Sequence, residues 1–553
     1  MIKAIGIVGL ARTGKSLFEF LQTKTNINLL VYDDKIEHQS TYERYFVDIN
    51  QASLWNQMEY IVVSPGIPES HSVFKLKPKK ISDIELFYLF KETLTLNPMW
   101  IVGITGTNGK STITEQIATM LNTKGFGNIG LPIFDYFKKE DINFKDDDKS
   151  ILINALVLEI SSFQLDLQDR FRPDIAIITN ISEDHLDRYK NIQSYIESKL
   201  KILDNMTPND IGIINLDDEG LNKLKNEGRF DKYRCKFIYV SKANFNLCES
   251  LMWNISILHL IGELNEVNLN FLFSLTHFQV NSPEVWMRQL PSISHDFSFF
   301  TDCDFSSNYY VQNTFLSLYA LALLLMFNMK YKVSFKEVAF NQNQNQINND
   351  FQITKEFLVS IKKHFLLLNL CKKQDFCNQI IAKKHNLWFV NDSKGTNPYS
   401  TAKAIESLIN RQMLQCLMPK RDIESHAESF EKYIITKFDI CANNEVKIFL
   451  LAGGVFKNSS IEPILKFKSF IHKVYLYGQD KYQLRDMFLE HKIDSVVFDN
   501  LQEGLISAYE DCKSSSENIQ KVILFSPMCA SLDQFTSFKQ RGEAFNIFVS
   551  KLK

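Results

Sequence analysis

The chain has 553 residues, more than one hydrophobic core usually spans, so we expect two or three domains. Hydrophobic residues make up 45% and charged residues 23%, as in an ordinary globular protein. The 62 Lys and Arg nearly balance the 64 Asp and Glu, which excludes the basic surface that nucleic-acid binding needs. The longest apolar run, from Phe315 to Phe327, is well short of the roughly 20 residues of a membrane span.

The cysteines and the first residues indicate the compartment. The nine cysteines include no Cys-x-x-Cys pair, so neither a zinc site nor a disulfide framework is indicated. No cationic start with an apolar run and a small-residue cleavage site opens the chain. We therefore expect a cytoplasmic protein with reduced thiols and no membrane insertion.

Strand, turn and helix recur in that order along the N-terminal part. Ala4 to Gly9 has the pattern of an apolar strand that enters a glycine turn, and a helix is predicted from Ser16 to about Leu21. Further strands are predicted at 28–32 and 60–63. This order indicates a small open α/β sheet in a domain at residues 1–96.

Two further α/β units follow. In the second, strands are predicted at 100–105, 155–160 and 175–179, as continuous apolar runs typical of parallel strands that are covered on both faces, and a helix at 113–121. In the third, strands are predicted at 387–390, 446–451, 473–477 and 522–525. The sequence therefore predicts three α/β domains, the second at 97–374 and the third at 375–553. The Asn/Gln-rich stretch 341–350 predicts a loop.

Gly9 to Ser16 fits the phosphate-loop pattern Gly-x-x-x-x-Gly-Lys-Ser. The same residues also fit a Gly-x-Ala-x-x-Gly turn of the dinucleotide-binding type, with an acid about twenty positions on at Asp33 or Asp34. The short first domain offers no metal ligand after another strand. This favours the second interpretation, although the pattern alone leaves both open.

A second glycine loop runs from Gly103 to Thr112 and lacks only the first glycine of the phosphate-loop pattern. Backbone N–H groups there could hold phosphate oxygens, Lys110 could reach the terminal phosphates, and Ser111 could bind Mg²⁺. A purely structural glycine turn is the alternative. Glu159 and Glu183-Asp-His185 follow later strands, and the carboxyl ends of parallel strands meet at one edge. The sequence therefore predicts a site for ATP and Mg²⁺ at that edge.

Six segments of the chain resemble the Mur ligases, the ATP-dependent amide-forming enzymes of peptidoglycan synthesis. The Ser161-Ser-Phe-Gln-Leu165 sequence and the last two segments are typical of the branch that adds D-glutamate. The match covers about residues 1–240 and 386–553 and is poor between them. The six segments are Thr105–Thr112, Gly127–Pro132, Leu158–Leu165, Thr179–Tyr189, Asn391–Asn397 and Ser526–Phe535.

The resemblance implies acyl activation by phosphoryl transfer. The carboxylate of UDP-N-acetylmuramoyl-L-alanine would attack the γ-phosphate of ATP and release ADP. The amine of D-glutamate would then attack the acyl-phosphate, and phosphate would leave from the tetrahedral intermediate. The first domain would hold the UDP end, the second ATP, and the third the amino acid. The expected cofactors are ATP and two Mg²⁺ ions, the partners are these two substrates, without nucleic acid or membrane, and we expect a monomer.

The resemblance also assigns roles to residues. The catalytic set would be Lys110, Glu159, His185 and Lys199, with Mg²⁺ on Ser111, Glu159, His185 and a carbamylated Lys199, although the helix pattern alone predicts a solvated lysine at 199. ATP would meet Thr107, Asn108, Gly109, Lys110, Ser111, Thr112, Asn313, Asp392 and Lys394. The substrates would meet Arg12, Thr13, Asp33 and Asp34 at uridine, Asn128 at the sugar-phosphate part, Ser161 and Thr396, and Lys457, Ser531, Leu532 and Phe538 in the D-glutamate pocket.

The chain departs from the family pattern at several positions. Of the His-Asn-x-x-Asn motif beside adenine only Asn313 is kept, and Gln374 to Cys377 replace Leu-Pro-His-Arg, so an arginine near the nucleotide phosphates is missing. Gly453-Gly-Val-Phe456 lacks the usual acid before Lys457. Insertions around 219–308 and 330–374 account for most of the extra length. Because the metal set is whole, we expect a working enzyme.

Other functions remain open at this stage. One is a Mur-type or folylpolyglutamate-type ligase with a different amino acid. Another, favoured by the missing arginine, is a catalytically impaired protein that only binds a UDP-sugar. A dehydrogenase is a weaker candidate, since nothing after Asp34 supplies a site for hydride transfer.

Overall fold

In a computed structural model the described residues of the chain form three β-sheets. The structure describes residues 2–24, 26–93, 99–128, 130–137, 155–186, 188–240, 317, 375–384, 387–409, 446–514 and 520–552. These residues divide into two compact units, one with 2–181 and 193–240 and the other with 182–192 and 375–552. The first unit contains two of the sheets and the second unit contains the third.

The first sheet has four parallel strands. Its strands are Ala4–Val8 (β1), Asn28–Tyr32 (β2), Tyr60–Val63 (β3) and Lys79–Ile81 (β4), and its helices are Arg12–Leu21 (α1), Ile36–Thr41 (α2), Ala52–Trp55 (α3) and Asp83–Thr93 (α4). The strand order is β2-β1-β3-β4, so β1 lies inside the sheet and all five of its residues are buried. Helix α1 begins at Arg12, four residues before the predicted start, because its first turn is polar and carries no apolar signal.

The second sheet has six strands, all parallel. Its strands are Trp100–Thr105 (β5), Gly125–Gly127 (β6), Ala155–Glu159 (β7), Ile175–Ile178 (β8), Ile211–Asn215 (β9) and Lys236–Val240 (β10), and its helices are Lys110–Met120 (α5), Ser162–Asp166 (α6), Ile192–Leu200 (α7) and Glu219–Asn226 (α8). The strand order is β10-β9-β8-β5-β7-β6. Strand β5 therefore lies between β7 and β8, and the ends of these three strands are adjacent at one edge.

Two buried carboxylates in the first turn of α4 connect the first sheet to the loop after α6. The Glu85 carboxylate accepts hydrogen bonds from the N–H groups of Asp169, Arg170 and Phe171 at 2.9–3.1 Å. Asp83 accepts a hydrogen bond of 2.9 Å from the amide of Gln164 in α6, and burial raises the pKa of Asp83. A buried carboxylate that lost such donors would destabilise the fold, so these contacts fix the first two domains together.

The third sheet is mostly parallel. Its strands are Gln379–Lys384 (β11), Leu387–Asn391 (β12), Val446–Gly453 (β13), Ile471–Tyr477 (β14), Ser495–Val497 (β15) and Gln520–Phe525 (β16), and its helices are Pro398–Ile409 (α9), Glu462–Leu465 (α10), Lys481–Glu490 (α11), Leu501–Ser514 (α12) and Phe538–Lys551 (α13). The strand order is β11-β12-β16-β13-β14-β15, and only β11 is antiparallel to its neighbour. Buried apolar side chains cover both faces of this sheet.

The prediction of an α/β fold with parallel sheets is confirmed, and every predicted strand is present within two residues of its expected bounds. The division into domains at 1–96, 97–374 and 375–553 stays a prediction. The proposed domain limit at 96/97, Asn313, the stretch 341–350 and most of both insertions lie outside the described residues, so those predictions stay untested. In the part of the chain that the structure describes, no helix is long and apolar enough to cross a membrane.

Candidate functional site

The turn between β5 and α5 has the backbone of a loop built around glycines. Gly106 has φ +143° and Gly109 has φ +83°, a range that side chains with a Cβ rarely adopt. A Cβ atom on Gly106 would lie 1.9 Å from the hydroxyl oxygen of Thr179. Gly109 caps α5, so the loop leads directly into the N-terminus of that helix. Unpaired N–H groups and the positive end of the helix dipole favour an anion at such a position.

Two residues at the end of β8 hold this loop in place. The N–H groups of Thr107 and Asn108 donate to the main-chain and side-chain oxygens of Asn180, at 2.9 and 2.8 Å. In return the Thr179 hydroxyl and the Asn180 amide donate to the carbonyl oxygen of Asn108, at 2.6 and 2.8 Å. The loop is therefore fixed by the neighbouring strand before any ligand binds, which is the preorganisation that phosphate binding requires.

Lys110 and Lys199 donate to the same oxygen atom. Their Nζ atoms lie 2.9 and 2.8 Å from the carbonyl oxygen of Gly106, and Lys110 also donates to the carbonyl of Thr107 at 2.9 Å. Lys199 is only 1% exposed, and its ammonium group lies 4.4 Å from the centre of the Tyr195 ring. The prediction of a solvated lysine at 199 from the helix pattern is wrong, because the face of α7 that carries it is buried. The structure thus concentrates positive charge at the loop.

Glu159, the last residue of β7, is a buried acid at the same edge of the sheet. It is 1% exposed, and its Oε2 atom has no hydrogen-bond partner among the residues that the structure describes. Its Oε1 atom accepts a 3.5 Å hydrogen bond from the Asn128 amide, while the Asn128 N–H donates to the Glu159 carbonyl at 2.9 Å. Buried acceptors without a donor are rare, and a hard cation is the natural partner of such a carboxylate oxygen.

Ser161 follows this acid and caps α6. Its hydroxyl accepts from the N–H of Gln164, and the Gln164 side chain accepts from the N–H of Ser161 at 3.0 Å, which together form a capping box. The predicted substrate role of Ser161 is not tested by these contacts. They do fix the start of α6 directly after Glu159.

His185 belongs to the loop 182–192, which is part of the second unit. It has φ +56°, and the neighbouring Asp184 accepts hydrogen bonds from Lys457 at 2.9 Å and from Asn397 at 3.0 Å. Burial alone would raise the pKa of Asp184, but Lys457, His185 and Asn397 together lower it to about 2. Lys457, predicted to bind a substrate carboxylate, is thus held by a carboxylate of the chain itself.

Asp392, predicted to meet ATP, is buried at the end of β12. Its carboxylate accepts from the Ser526 hydroxyl at 2.6 Å and from the Asn378 N–H at 3.0 Å. Burial raises the pKa of Asp392 to about 7, although these hydrogen bonds and the charges of Lys394 and Arg541 oppose the rise. These contacts connect the segment after β12 to the segment after β16.

The other residues predicted for ATP and the amino acid in this part of the chain lie on these segments of the second unit. Lys394 and Thr396 follow Asp392 in one loop, and Ser531 and Leu532 lie in the loop after β16. Ser531 is buried, whereas Leu532 is 74% exposed. Phe538 is the first residue of α13, and its carbonyl accepts a 2.8 Å hydrogen bond from the Ser393 hydroxyl. The structure thus brings the 391–397 loop and the start of α13 together.

The first glycine loop has a different environment. The N–H of Leu10 donates to the Asp33 carboxylate at 2.5 Å. Burial opposes the charge of Asp33, but the N–H groups of Leu10 and Lys35 and the side chain of His38 lower its pKa below the ordinary value. Arg12 and Asp34, which follow Leu10 and Asp33 in sequence, are exposed, and their contact with uridine stays a prediction.

Two other residues of that loop argue against a phosphate loop. The Ser16 hydroxyl, which would bind Mg²⁺, is buried and donates to Asp135 at 2.6 Å. Lys15 is exposed to solvent. Of the two interpretations that the pattern left open, the structure therefore favours the dinucleotide-type turn.

Three residues at these places were not predicted from the sequence. Asn180 and Asp184 lie inside the motif Thr179–Tyr189, but side-chain partners elsewhere in the chain give them their roles. Arg541 lies in the first turn of α13 and is fully buried, which nothing in its local sequence indicates.

The chain is similar to known proteins over nearly its full length. A family model described as the Mur ligase middle domain matches residues 104–282. UDP-N-acetylmuramoylalanine–D-glutamate ligase of Rickettsia conorii is 29% identical, over 98% of this chain and 95% of that protein. The ligase of the same name from Clostridioides difficile is 26% identical, over 100% of this chain and 99% of that protein.

Two solved ligase structures align with this chain at lower sequence identity. UDP-N-acetylmuramate-alanine ligase MurC from Thermotoga maritima aligns with a TM-score of 0.43 and 13% identity, over 100% of both chains. MurF ligase from the same organism, in complex with ADP, aligns with a TM-score of 0.44 and 14% identity, over 91% of this chain and 92% of that one. The chain thus contains a match to the Mur ligase middle domain, and over nearly its full length it is similar to ligases that are 26–29% identical to it.

Proposed function

We propose that this protein is an ATP-dependent, ADP-forming ligase that joins D-glutamate to UDP-N-acetylmuramoyl-L-alanine in peptidoglycan precursor synthesis. The observation that carries the proposal is the loop Gly106–Gly109, with two lysines on one carbonyl oxygen and the buried acid Glu159 at the end of the adjacent strand. The names of the full-length relatives support D-glutamate as the amino acid.

The charge at the loop suits the first step of this reaction. A carboxylate that attacks a triphosphate brings like charges together, so catalysis depends on positive groups that are already in place. Lys110 is anchored by two carbonyl oxygens at 2.9 Å, and its ammonium group would need only a small movement to meet a phosphate oxygen. One such preorganised partner lowers the activation free energy by about 3–4 kcal/mol.

The residues at the loop also fit a magnesium ion. The Oε2 atom of Glu159 is a buried acceptor with no partner in the described residues, and Ser111 lies in the first turn of α5. Glu159 and Ser111 would hold the ion, with a modified Lys199 as a further ligand. When bound, Mg²⁺ supplies positive charge to the phosphates as the carboxylate approaches.

Carbamylation of Lys199 would solve an electrostatic problem at this loop. Lys199 is buried and donates to the same carbonyl oxygen as Lys110, so two ammonium groups would lie close together in a site shielded from water. Burial favours the neutral amine of a lysine, which is the form that adds CO₂. The product is an anion, which would pair with Lys110 or a cation.

The second unit would bind the amino acid. Lys457 is positioned by Asp184, whose low pKa keeps it ionised at every physiological pH. A dicarboxylate such as D-glutamate would place one carboxylate at Lys457. Its ammonium group would donate a hydrogen bond to Asp184. Ser531 and the N–H groups of its loop would bind the other carboxylate.

The first domain would hold the uridine end near the turn after β1. Because Asp33 already accepts the Leu10 N–H, the turn keeps its shape without a ligand. The exposed Arg12 and the half-buried Thr13 would then face the nucleotide. We place the protein in the cytoplasm, where this nucleotide-sugar is made, and propose that it acts as a monomer.

Phosphate release is the direct test. Purified protein with Mg·ATP and UDP-N-acetylmuramoyl-L-alanine is assayed with D-glutamate, L-glutamate, D-alanine or L-lysine. We expect release only with the nucleotide-sugar and D-glutamate together. Release with a different amino acid would refute the specificity, and no release in any mixture, with the nucleotide-sugar still bound, would refute catalysis.

A further inference from the structure

Arg541 is a fully buried arginine in the second unit, and its contacts are unusual. Its Nε atom donates to the Ser393 hydroxyl at 3.1 Å, Nη2 to the Ser393 carbonyl at 2.8 Å, and Nη1 to the Cys529 carbonyl at 3.0 Å. None of these partners is a carboxylate, and the described residues place none in an ion pair with it. The guanidinium charge acts on the buried carboxylate of Asp392 without an ion pair in the described residues. A buried charge is costly unless hydrogen bonds fix it, so these three bonds indicate a structural role for Arg541.

The oxygens that Arg541 contacts belong to two loops, 391–397 and 526–532. Ser393 precedes Lys394 and Thr396, and Cys529 lies two residues before Ser531. The Ser393 hydroxyl also donates to the carbonyl of Phe538 at 2.8 Å. One guanidinium group therefore joins the 391–397 loop, the 526–532 loop and the start of α13, and each of the three carries residues predicted for the amino acid.

The fourth predicted segment is attached to the same loops. Val455 and Ala530 exchange N–H to carbonyl hydrogen bonds, both at 2.9 Å. This pair fixes the turn that leads to Lys457 against the residue next to Cys529. The N–H of Met528, which has φ +60°, donates to the carbonyl of Gly395 at 2.9 Å. All four segments thus share one set of contacts, with Arg541 at its buried side.

We propose that Arg541 is a positioning residue that sets the spacing of the amino-acid pocket without touching the substrate. The inference rests on the proposed function, since the pocket residues are assigned there. The planar guanidinium group donates in fixed directions to two loops at once, which a lysine cannot do. A change at Arg541 would shift Ser531 relative to Thr396 and so weaken binding of the amino acid, but not of ATP or the nucleotide-sugar.

The test compares Michaelis constants in the Arg541→Lys variant, which keeps the charge and loses the fork. We expect the KM for D-glutamate to rise about tenfold or more, as loss of hydrogen bonds from a charged donor implies. The KM values for ATP and UDP-N-acetylmuramoyl-L-alanine should stay within about twofold. The Ser393→Ala variant, which removes one acceptor of Arg541 and the donor to Phe538, should show a smaller rise for D-glutamate alone.

A matched control separates positioning from general loss of stability. Phe488 is fully buried in α11 and packs in a core of the same unit, so Phe488→Leu should lower the melting temperature. It should leave the KM for D-glutamate unchanged. Equal rises of all three KM values in Arg541→Lys, or a KM for D-glutamate within twofold of the wild type in both Arg541→Lys and Ser393→Ala, would overturn the proposal.

A readout that does not depend on turnover keeps this inference separate from the proposed function. If the wild type uses another amino acid, the D-glutamate assignment fails and the same KM comparison is made with that amino acid. Hydrogen exchange of segments 391–397 and 526–532 should be faster in Arg541→Lys than in the wild type, and unchanged in Phe488→Leu. Unchanged exchange in Arg541→Lys would overturn the proposal even if no amino acid supports turnover.

Discussion

The molecule contains two glycine loops that share the ending Gly-Lys-Ser and have opposite environments. The loop Gly9–Ser16 matches the phosphate-loop pattern in full, whereas the loop that ends at Ser111 lacks one of its glycines. In the first, Lys15 is exposed and the Ser16 hydroxyl is used by Asp135. In the second, Lys110 is folded back onto the loop's own carbonyl oxygens.

A phosphate loop is therefore defined by the strands and side chains next to it as well as by its own sequence. The second loop is fixed by Thr179 and Asn180 of the adjacent strand, and the strand on its other side ends in the buried acid Glu159. The acid beside the first loop is Asp33, and its carboxylate accepts a hydrogen bond from the N–H of Leu10. A cation needs an acid with an oxygen to spare, and only the second loop offers one among the described residues.

The largest effect should come from the lysines of the two loops. Lys110→Ala should nearly abolish ligation, with a loss of kcat of roughly 10²–10³-fold, because about 3–4 kcal/mol of charge stabilisation is removed. Lys15→Ala should change kcat by less than twofold. Both variants are assayed by phosphate release, with the melting temperature as a check on folding. Substantial activity in Lys110→Ala would reassign the phosphate loop.

The acid beside the second loop should control the metal. Glu159→Gln keeps the shape of the side chain and removes its charge, so we expect kcat to fall about a hundredfold and the Mg²⁺ concentration for half-maximal rate to rise. Glu85→Gln is the matched control, since Glu85 is also buried but its oxygens accept three N–H groups.

The two variants should fail in different ways. Glu85→Gln should lower the melting temperature without a change in Mg²⁺ dependence. A Mg²⁺ titration with the same midpoint in the wild type and Glu159→Gln would exclude Glu159 as a ligand.

The sequence was sufficient for elements whose signal is local. Strands such as β5 and β8 are uninterrupted apolar runs, and both were predicted to within one residue. The first turns of α1 and α5 were missed, because Arg12 and Lys110 begin helices with polar residues that interrupt the apolar period. Strand β11 was not predicted, since its apolar run is only three residues long and the strand ends in two lysines.

The candidate site was predicted only where a motif fixes the spacing. Lys110 and Glu159 follow from the glycine loop and the strand end. The burial of Lys199 does not, because it depends on how α7 packs against the loop of Gly106. Arg541 and Ser393 are 148 residues apart in sequence, so no local pattern could indicate their contact.

The serines of the two loops should separate folding from catalysis. Ser16→Ala removes a buried hydrogen bond to Asp135 and should lower the free energy of unfolding by about 1 kcal/mol, with kcat unchanged. Ser111→Ala should leave stability nearly unchanged and lower kcat about tenfold, with a higher Mg²⁺ requirement. Urea unfolding and phosphate release of both variants test this pair. A fall in kcat for Ser16→Ala, with the free energy of unfolding unchanged, would indicate that the first loop binds phosphate.

The smallest effect is expected at Asp33, whose charge supports the first loop. Because its pKa is lower in the folded protein than in the unfolded chain, its stabilisation is present above pH 4 and is lost as the pH falls through the folded value. Asp33→Asn should therefore speed hydrogen exchange in residues 4–21 at pH 7 by a few-fold, since the group is partly exposed and its effect is screened. The neighbouring Asp34→Asn is the control, because Asp34 accepts from the Tyr32 hydroxyl but not from the loop. Wild type and Asp33→Asn should converge only when both are compared at the same pH below the folded pKa of Asp33. A difference that persists there would mean that shape, rather than charge, makes Asp33 necessary to the turn.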